Sequence, residues 1–329
     1  MLHIHNGDST AGTAKKANLP GEHIAWREAM VCGPTPPNLT ETEFIALRAN
    51  HLAEDYDVPA EKCAADLREL HQALANSVTH DEVVLWFEHD LFCQVHLVYL
   101  LHWFAQKELG KTRLSLISID QFPGIKTFHG LGQLNEAQLE SLWPARQEIT
   151  AEQLEVGAKA WASYSSSNPK DLTSLLETDV SALPFLREAL KKHLQRFPST
   201  TNGLGRIENI GVELVSAGYP QFKSLFPAFM RREPIYGFGD TQFYLAMRRL
   251  ATAPVPVLRQ KDDGNSVKDP ARMLLSSFEI TKGGEAIISG KEDFVLRNGI
   301  DMWLGGVHLQ GKESPWRWDE ETQQLLVSL

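Results

Sequence analysis

The chain has 329 residues, of which 43% are hydrophobic and 22% charged, and carries a net charge of −10 at neutral pH. That length exceeds what one hydrophobic core usually supports, and the acidic balance speaks against wrapping nucleic acid by bulk electrostatics. Cys32, Cys63 and Cys93 are widely spaced with no Cys-x-x-Cys pair, which argues against a disulfide framework or a zinc knuckle, and without a long apolar run or signal segment the expectation is a cytoplasmic protein that does not cross a membrane.

From the N-terminus, Leu2 to Asn6 and Glu22 to Trp26 read as short strands, and Glu41 to Asp55 and Pro59 to Ala75 as amphipathic helices. The apolar run Val83 to Phe87 predicts a central strand buried on both faces, followed by a helix over Leu91 to Leu109 and a strand over Arg113 to Ile119. Alternation of this kind predicts an α/β, Rossmann-like domain with a parallel sheet over residues 1–135. Beyond Phe128-His129-Gly130-Leu131-Gly132 the pattern turns helical over Glu136 to Trp143, Ala151 to Ser163, Asp171 to Glu177 and Leu183 to Arg196, a connecting segment spanning 136–198. Thr150-x-x-Gln153 reads as a capping box and Ser165 to Pro169 as a turn.

Turn-forming residues from Phe197 to Gly203 mark a boundary, after which residues 199–329 form the last predicted domain. Helical patterns over Arg206 to Ala217, Gln221 to Arg231 and Asp240 to Ala251 are followed by Val255 to Arg259, Phe278 to Ile280, Thr281-Lys282-Gly283-Gly284 and Glu285 to Ser289. Three helices and a β-hairpin in that order suggest a winged helix. From Ser199 to Gly290 the chain has 11 Lys and Arg against 9 Asp and Glu, too small a surplus to support nucleic-acid binding by itself. Lys261 to Pro270 reads as a mobile polar loop, and the Trp- and Gly-rich tail around Trp303 to His308 as a segment that packs against something.

The chemistry-bearing residues gather where predicted strands end. His3 and His5 share a strand face and with Asp8 could offer two imidazoles and a carboxylate to a divalent metal; the plainer reading is one satisfied and one exposed histidine. Gly7 offers backbone freedom, Asp8 a carboxylate for a ribose or metal, and Ser9 a helix cap. Gly7-Asp8-Ser9 also opens the GDSL-type serine esterases, but the late Asp-x-x-His those enzymes need is missing near the C-terminus. Glu88-His89-Asp90 ends the buried strand: Glu88 and Asp90 are candidate general bases or metal ligands, His89 turns to the core or caps the helix, and Asp90 as a simple N-cap is the plainer alternative. Arg27 could clamp a phosphate or carboxylate, or simply pair with Glu28. The loop with His129 and Gly130 could cover the same crevice, and the chain has neither a Gly-x-Gly-x-x-Gly fingerprint nor a Walker loop.

The blocks His3 with Asn6-Gly7-Asp8-Ser9, Leu19-Pro20-Gly21, Trp26-Arg27-Glu28 with Gly33-Pro34, Phe87-Glu88-His89-Asp90 with Gln94, Phe128 to Gly132 and Trp303 to His308 resemble a bacterial family known as domain of unknown function 1835, often joined to a second uncharacterised C-terminal domain. The resemblance spans nearly the whole chain and implies no established activity. Where the family pattern leads one to expect Asp after Trp-Arg, Glu28 keeps the charge and moves the carboxylate by one methylene.

The resulting expectation is a crevice lined by Asn6, Asp8, Ser9, Arg27, Glu88 and Asp90 that binds a small polar or phosphorylated ligand, a nucleotide among the candidates. Asp8 or Glu88 would serve as base or metal ligand in a hydrolase or group transferase. The alternative is a regulatory or adaptor protein whose winged-helix-like domain binds DNA or a protein, with His308 a candidate to join the front crevice.

Overall fold

The computed structural model describes residues 1–261 and 269–327, so most of the loop read between Lys261 and Pro270 lies outside the described residues. The front of the molecule is a five-stranded sheet in the order β2-β1-β3-β4-β5, built from β1 (Leu2–His5), β2 (Glu22–Ala25), β3 (Glu82–Trp86), β4 (Arg113–Ile117) and β5 (Gln147–Glu148). The first four strands are parallel, and β5, which no sequence pattern announced, joins β4 antiparallel. Since β1 is followed by β2 on one side and β3 lies on the other, the chain leaves the sheet in opposite directions around the carboxyl ends of β1 and β3. Asn6 and Glu88 stand there.

The helices of this front region are α1 (Asp8–Lys16), α2 (Glu41–Tyr56), α3 (Ala60–Asn76), α4 (Leu91–Ala105) and α5 (Glu136–Leu142). Alternation along β3 sends Val83 and Leu85, with Phe87 beyond them, into a large core, and Val84 and Trp86 into a smaller one with Ala14, Leu131 and Leu139. The helix α4 is apolar on every side because it is covered on every side. It packs on α6 (Ala151–Tyr164) and on α8 (Leu186–Leu194), with α7 (Lys170–Glu177) between these two in the chain. Gly157 permits the α4–α6 approach, since a Cβ there would lie 2.5 Å from Leu101 Cβ.

The rear region contributes α9 (Arg206–Ser216), α10 (Phe222–Arg232) and α11 (Asp240–Thr252), then the antiparallel pair β6 (Leu258–Lys261) and β7 (Ser277–Ile280), with α12 (Pro270–Leu275) between them. Thr281 does not continue a hairpin turn: its hydroxyl accepts from Gly284 N at 2.9 Å and starts α13 (Lys282–Ile288), so Glu285 to Ile288 is helical rather than extended and Ser289 caps the helix end. After α14 (Phe294–Asn298) come two hairpins, β8 (Ile300–Leu304) with β9 (Val307–Gly311) and β10 (Trp316–Asp319) with β11 (Gln324–Val327). One apolar core runs continuously from Leu2 to Leu325. Among the described residues, no helix is long and apolar enough to cross a membrane.

Candidate functional site

The residues singled out in the sequence separate into three groups. The first is a buried knot at the ends of β1 and β3. Asn6 Nδ2 donates to both Glu88 oxygens, at 3.0 and 2.7 Å, Leu131 N donates to Oε1 at 2.6 Å and the Cys93 thiol to Oε2 at 2.9 Å. Gly130 roofs this carboxyl: its φ of 136° suits glycine, and a Cβ would stand 2.3 Å from Glu88 Oε1. Asp90 accepts from Cys93 N at 2.8 Å and so caps α4, while Gly237 from the rear region presses against its other side. His89 lies between the rings of Phe128 and Phe185, and His129 N is bonded to Gln133 Oε1. Burial pushes Glu88 up to about 7, with the neighbouring Asp90 carboxyl adding to it, and Asp90 is raised by burial too. Asn6 Oδ1 is buried without a partner. Burial thus favours the protonated form of Glu88, while the Asn6 amide makes both of its Glu88 contacts through Nδ2 alone.

The second group is on the surface. Arg27 grips Asp8 with Nε at 2.9 Å from both oxygens and Nη2 at 2.7 Å from Oδ1, which holds the Asp8 carboxyl below its ordinary range. Arg27 therefore pairs with Asp8 and not with Glu28. Both border a groove between α1 and α3 that also carries Lys15, Asp66 and Glu69. Gly7 is extended, at φ 179°, so the backbone freedom anticipated for it is unused. Ser9 does not cap α1; its hydroxyl donates to Gly132 O at 3.2 Å and helps fasten the Gly130 loop.

The third group fixes the loop that leaves β2. Glu28 is buried against Arg48, Nη2 to Oε1 at 2.7 Å, and the same guanidinium donates to the carbonyls of Ala29, Cys32 and Pro34. Burial is the largest single influence and would raise the Glu28 carboxyl, but the Arg48 charge together with the hydrogen bonds from Arg48 and Ala29 N outweighs it and the pKa falls. Three more side chains hold this loop's backbone: Met30 N donates to His96 Nε2 at 3.2 Å, Tyr164 OH donates to Met30 O at 3.0 Å, and Arg196 Nη1 donates to Val31 O at 2.6 Å. None of these four partners was singled out in the sequence. Arg48 had left one trace, since it lies a turn from Phe44, Ile45 and Leu52 on the apolar stripe of its helix.

Two clusters carry metal-binding residue types. His3 and His5 do share a face, but their third member is His23, not Asp8. His5 Nε2 and His23 Nδ1 are 3.0 Å apart, His23 Nε2 meets Leu19 O, His3 Nε2 meets Pro20 O, and Trp86 Nε1 donates to His3 Nδ1. The His3 and His23 rings are stacked at 4.4 Å and 9°, so their in-plane lone pairs run side by side and do not converge on one ion. Burial keeps His3 neutral down to about 4 and His5 to about 2. In the other cluster, Glu88, Asp90 and Cys93, the thiol donates its proton to Glu88. Hydrogen bonds engage His3 and His23 at both ring nitrogens, while His5 Nδ1 is buried without a partner.

A cavity of about 590 Å³ opens behind the loop that Arg48 holds. Its wall is formed by Cys32, Gly33 and Pro34, by α2 around His51 and Asp55, by Arg196 and Phe238, by one face of α11, and by Asp301 to Leu304 of the tail. The floor is rigid at Gly33, whose φ is 73° and whose Cα sits under the His51 ring, where a Cβ would be 2.0 Å from Cδ2. Burial lowers His51 to about 4 and raises Asp55 to about 6, and it raises the Cys32 thiol. Trp303 and Leu304 line the cavity, and the turn that follows them is seated on the body of the molecule: Gly305 and Gly306 lie directly on the carbonyls of Tyr164 and Ser165, and Thr35 N donates to Gly305 O at 3.1 Å. His308 does not reach Glu88. It stacks on Trp303 at 4.3 Å and bonds Asp301 Oδ1 at 2.7 Å.

No protein-family model matches this chain, and no curated protein matches it at a significant level.

Proposed function

We propose that the protein binds a small polar organic molecule in the cavity between the loop that follows β2 and the helices of the rear region. The single observation that carries this reading is the cavity itself, about 590 Å³, within the size range of small-molecule sites and walled by apolar side chains interleaved with charged and polar ones. Its position fits. It lies on the side of the sheet where β2 ends, and its floor is held by Arg48, His96, Tyr164 and Arg196, so a ligand would meet a preorganised wall. The Glu88 knot then serves as the fastening between sheet, Gly130 loop and rear region, and the motif blocks that resemble the domain of unknown function 1835 family would define the frame around the site as much as the site.

A second reading concerns the rear region alone. The order α9, α10, α11, β6, β7, with Gln221 bridged to Ser277, supports a winged-helix-like unit. In that reading the helix offered to a partner would be α11, yet Gln242, Leu245, Ala246 and Arg249 on it line the cavity, and Arg249 and Arg232 are held by Glu208 and Glu213. We therefore favour a wing adapted to hold a small molecule over one adapted to DNA.

The test is a ligand-observed NMR screen of a fragment mixture spanning cations, anions and neutral compounds, run on the native chain and on Ala246→Trp, which places an indole in the cavity. Fragments that bind the native chain and are lost with the variant support the reading. Fragments that bind both proteins equally, or none at all, overturn it.

A further inference from the structure

The charge lining the cavity narrows the ligand class. This inference rests on the cavity being the ligand site. Two arginines and four carboxylates face it, and their partners are unequal. Arg249 is paired with Glu208, and Arg196 gives Nη1 to Val31 O and lies over the Phe238 ring at 5.4 Å. Asp301 is taken by His308. That leaves Glu54 and Asp55 on α2. Asp55 Oδ2 lies 3.3 Å from Nε2 of the His51 imidazole, which burial keeps uncharged, in a contact that does not have hydrogen-bond geometry. The buried Arg48 charge acts on Asp55 but is already paired with Glu28, so among the described residues the half-buried Asp55 carboxylate has no Lys or Arg ion pair of its own.

We infer that the cavity takes an organic ammonium ion with a flat apolar body, its charge set against Asp55 and its body along the Trp303 indole. A phosphate or carboxylate would find Arg249 already paired with Glu208 and Arg196 tied by one hydrogen bond to Val31 O, and the two α2 carboxylates, Glu54 and Asp55, outnumber the one guanidinium without an ion pair, so an anion is the less favoured charge there. An ammonium group supplies the missing countercharge. Trp303 has one face stacked on His308 while its ring lines the cavity, so it offers both apolar area and the electron-rich surface that attracts cations. Leu245, Ala246 and Met302 complete an apolar wall that a charged ligand alone would not need.

Three probes of matched size and different charge test this: tryptamine, its neutral alcohol analogue tryptophol, and indole-3-propionate, titrated by calorimetry into the full chain. The expected result is tryptamine binding at least about tenfold more tightly than tryptophol, with indole-3-propionate weakest. Asp55→Asn should bring tryptamine down to tryptophol while leaving tryptophol unchanged, and Trp303→Ala should weaken both. The charge series on the native chain stands even if a variant folds poorly. Indole-3-propionate binding as well as tryptamine, a tryptamine preference that survives in folded Asp55→Asn, or no binding of any of the three would overturn the inference. Failure here, together with anionic or neutral fragments displaced by Ala246→Trp, removes the ammonium assignment and leaves the cavity as the site; failure of both experiments removes the cavity.

Discussion

The knot at Glu88 and the cavity at Asp55 each hold a buried or half-buried carboxyl whose pKa is raised by burial, yet they differ in what surrounds it. Around Glu88 the surroundings are complete: an amide, a backbone N–H, a thiol and the Cα of Gly130 occupy its whole reach. Around Asp55 there is open volume and one uncharged imidazole. A perturbed carboxyl is therefore not enough to mark a binding site. What separates fastening from site is whether the group's hydrogen-bonding capacity is already spent.

The sharpest way to break this comparison is to attack the fastenings. Arg48→Met leaves the Glu28 carboxylate buried with its ion partner gone; the pair is 0% and 1% exposed, so a loss on the order of 3–5 kcal/mol is expected in urea unfolding. Restoring neutrality with Glu28→Gln in the same chain should recover part of it. If Arg48→Met costs less than about 1 kcal/mol, the loop beneath the cavity is not held as described, and its preorganisation goes with it.

Next in size is Glu88. Replacing it by Ala strands Asn6 and Leu131 N, with an expected cost of about 1–3 kcal/mol, whereas Gln preserves the amide-like pairing and should cost far less. The two proteins also separate by pH. Because the native pKa of Glu88 is raised above its ordinary 4.5 to about 7, the fold favours the protonated form, and its contribution is full below 4.5 and lost as pH rises towards 7. The melting temperature of Glu88→Gln minus that of the native chain should thus rise across this interval and be flat below it. The histidines run the opposite way: His3 and His5 are depressed, so their contribution is full above 6.5 and lost as pH falls. A native-minus-variant profile with no slope between 4.5 and 7 would mean that Glu88 is ionised and the knot is built otherwise.

Parts of this organisation are legible in the chain and parts are not. The strand periodicity of Leu2 to Asn6 and Val83 to Phe87 carries the parallel sheet, because alternating burial on both faces leaves an apolar run with polar ends. The same run places Asn6 beside Glu88, since neighbouring parallel strands end together. The role of Glu88 is harder to read, because a catalytic carboxyl and a fastening carboxyl are the same residue type at the same strand end, and only the partners from Leu131 and Cys93 distinguish them. The cavity leaves almost no trace in the sequence. Cys32, Asp55, Arg196, Ala246 and Trp303 come from five separated segments, each ordinary in its own context, and they meet only through packing of the rear region on the front. Thr281-Lys282-Gly283-Gly284 misleads for a local reason: Gly-Gly favours a turn, but the Thr281 hydroxyl and the close approach of Gly284 to Val257 O make it a helix start.

The smallest expected effect belongs to Asp8 and Arg27, the two residues whose sequence context promised most. Their side chains are 66% and 63% exposed, and although the guanidinium makes three short contacts, water and salt screen a pair this open. Asp8→Ala should therefore change stability by less than about 1 kcal/mol, and the difference should vanish at high salt. Because the pair borders the α1–α3 groove rather than the cavity, Asp8→Ala should also leave fragment binding at the cavity intact. A loss of that binding with the fold unchanged would move the site to the ends of β1 and β2, and would make the Arg27 grip on Asp8 the resting state of a clamp that opens for a ligand.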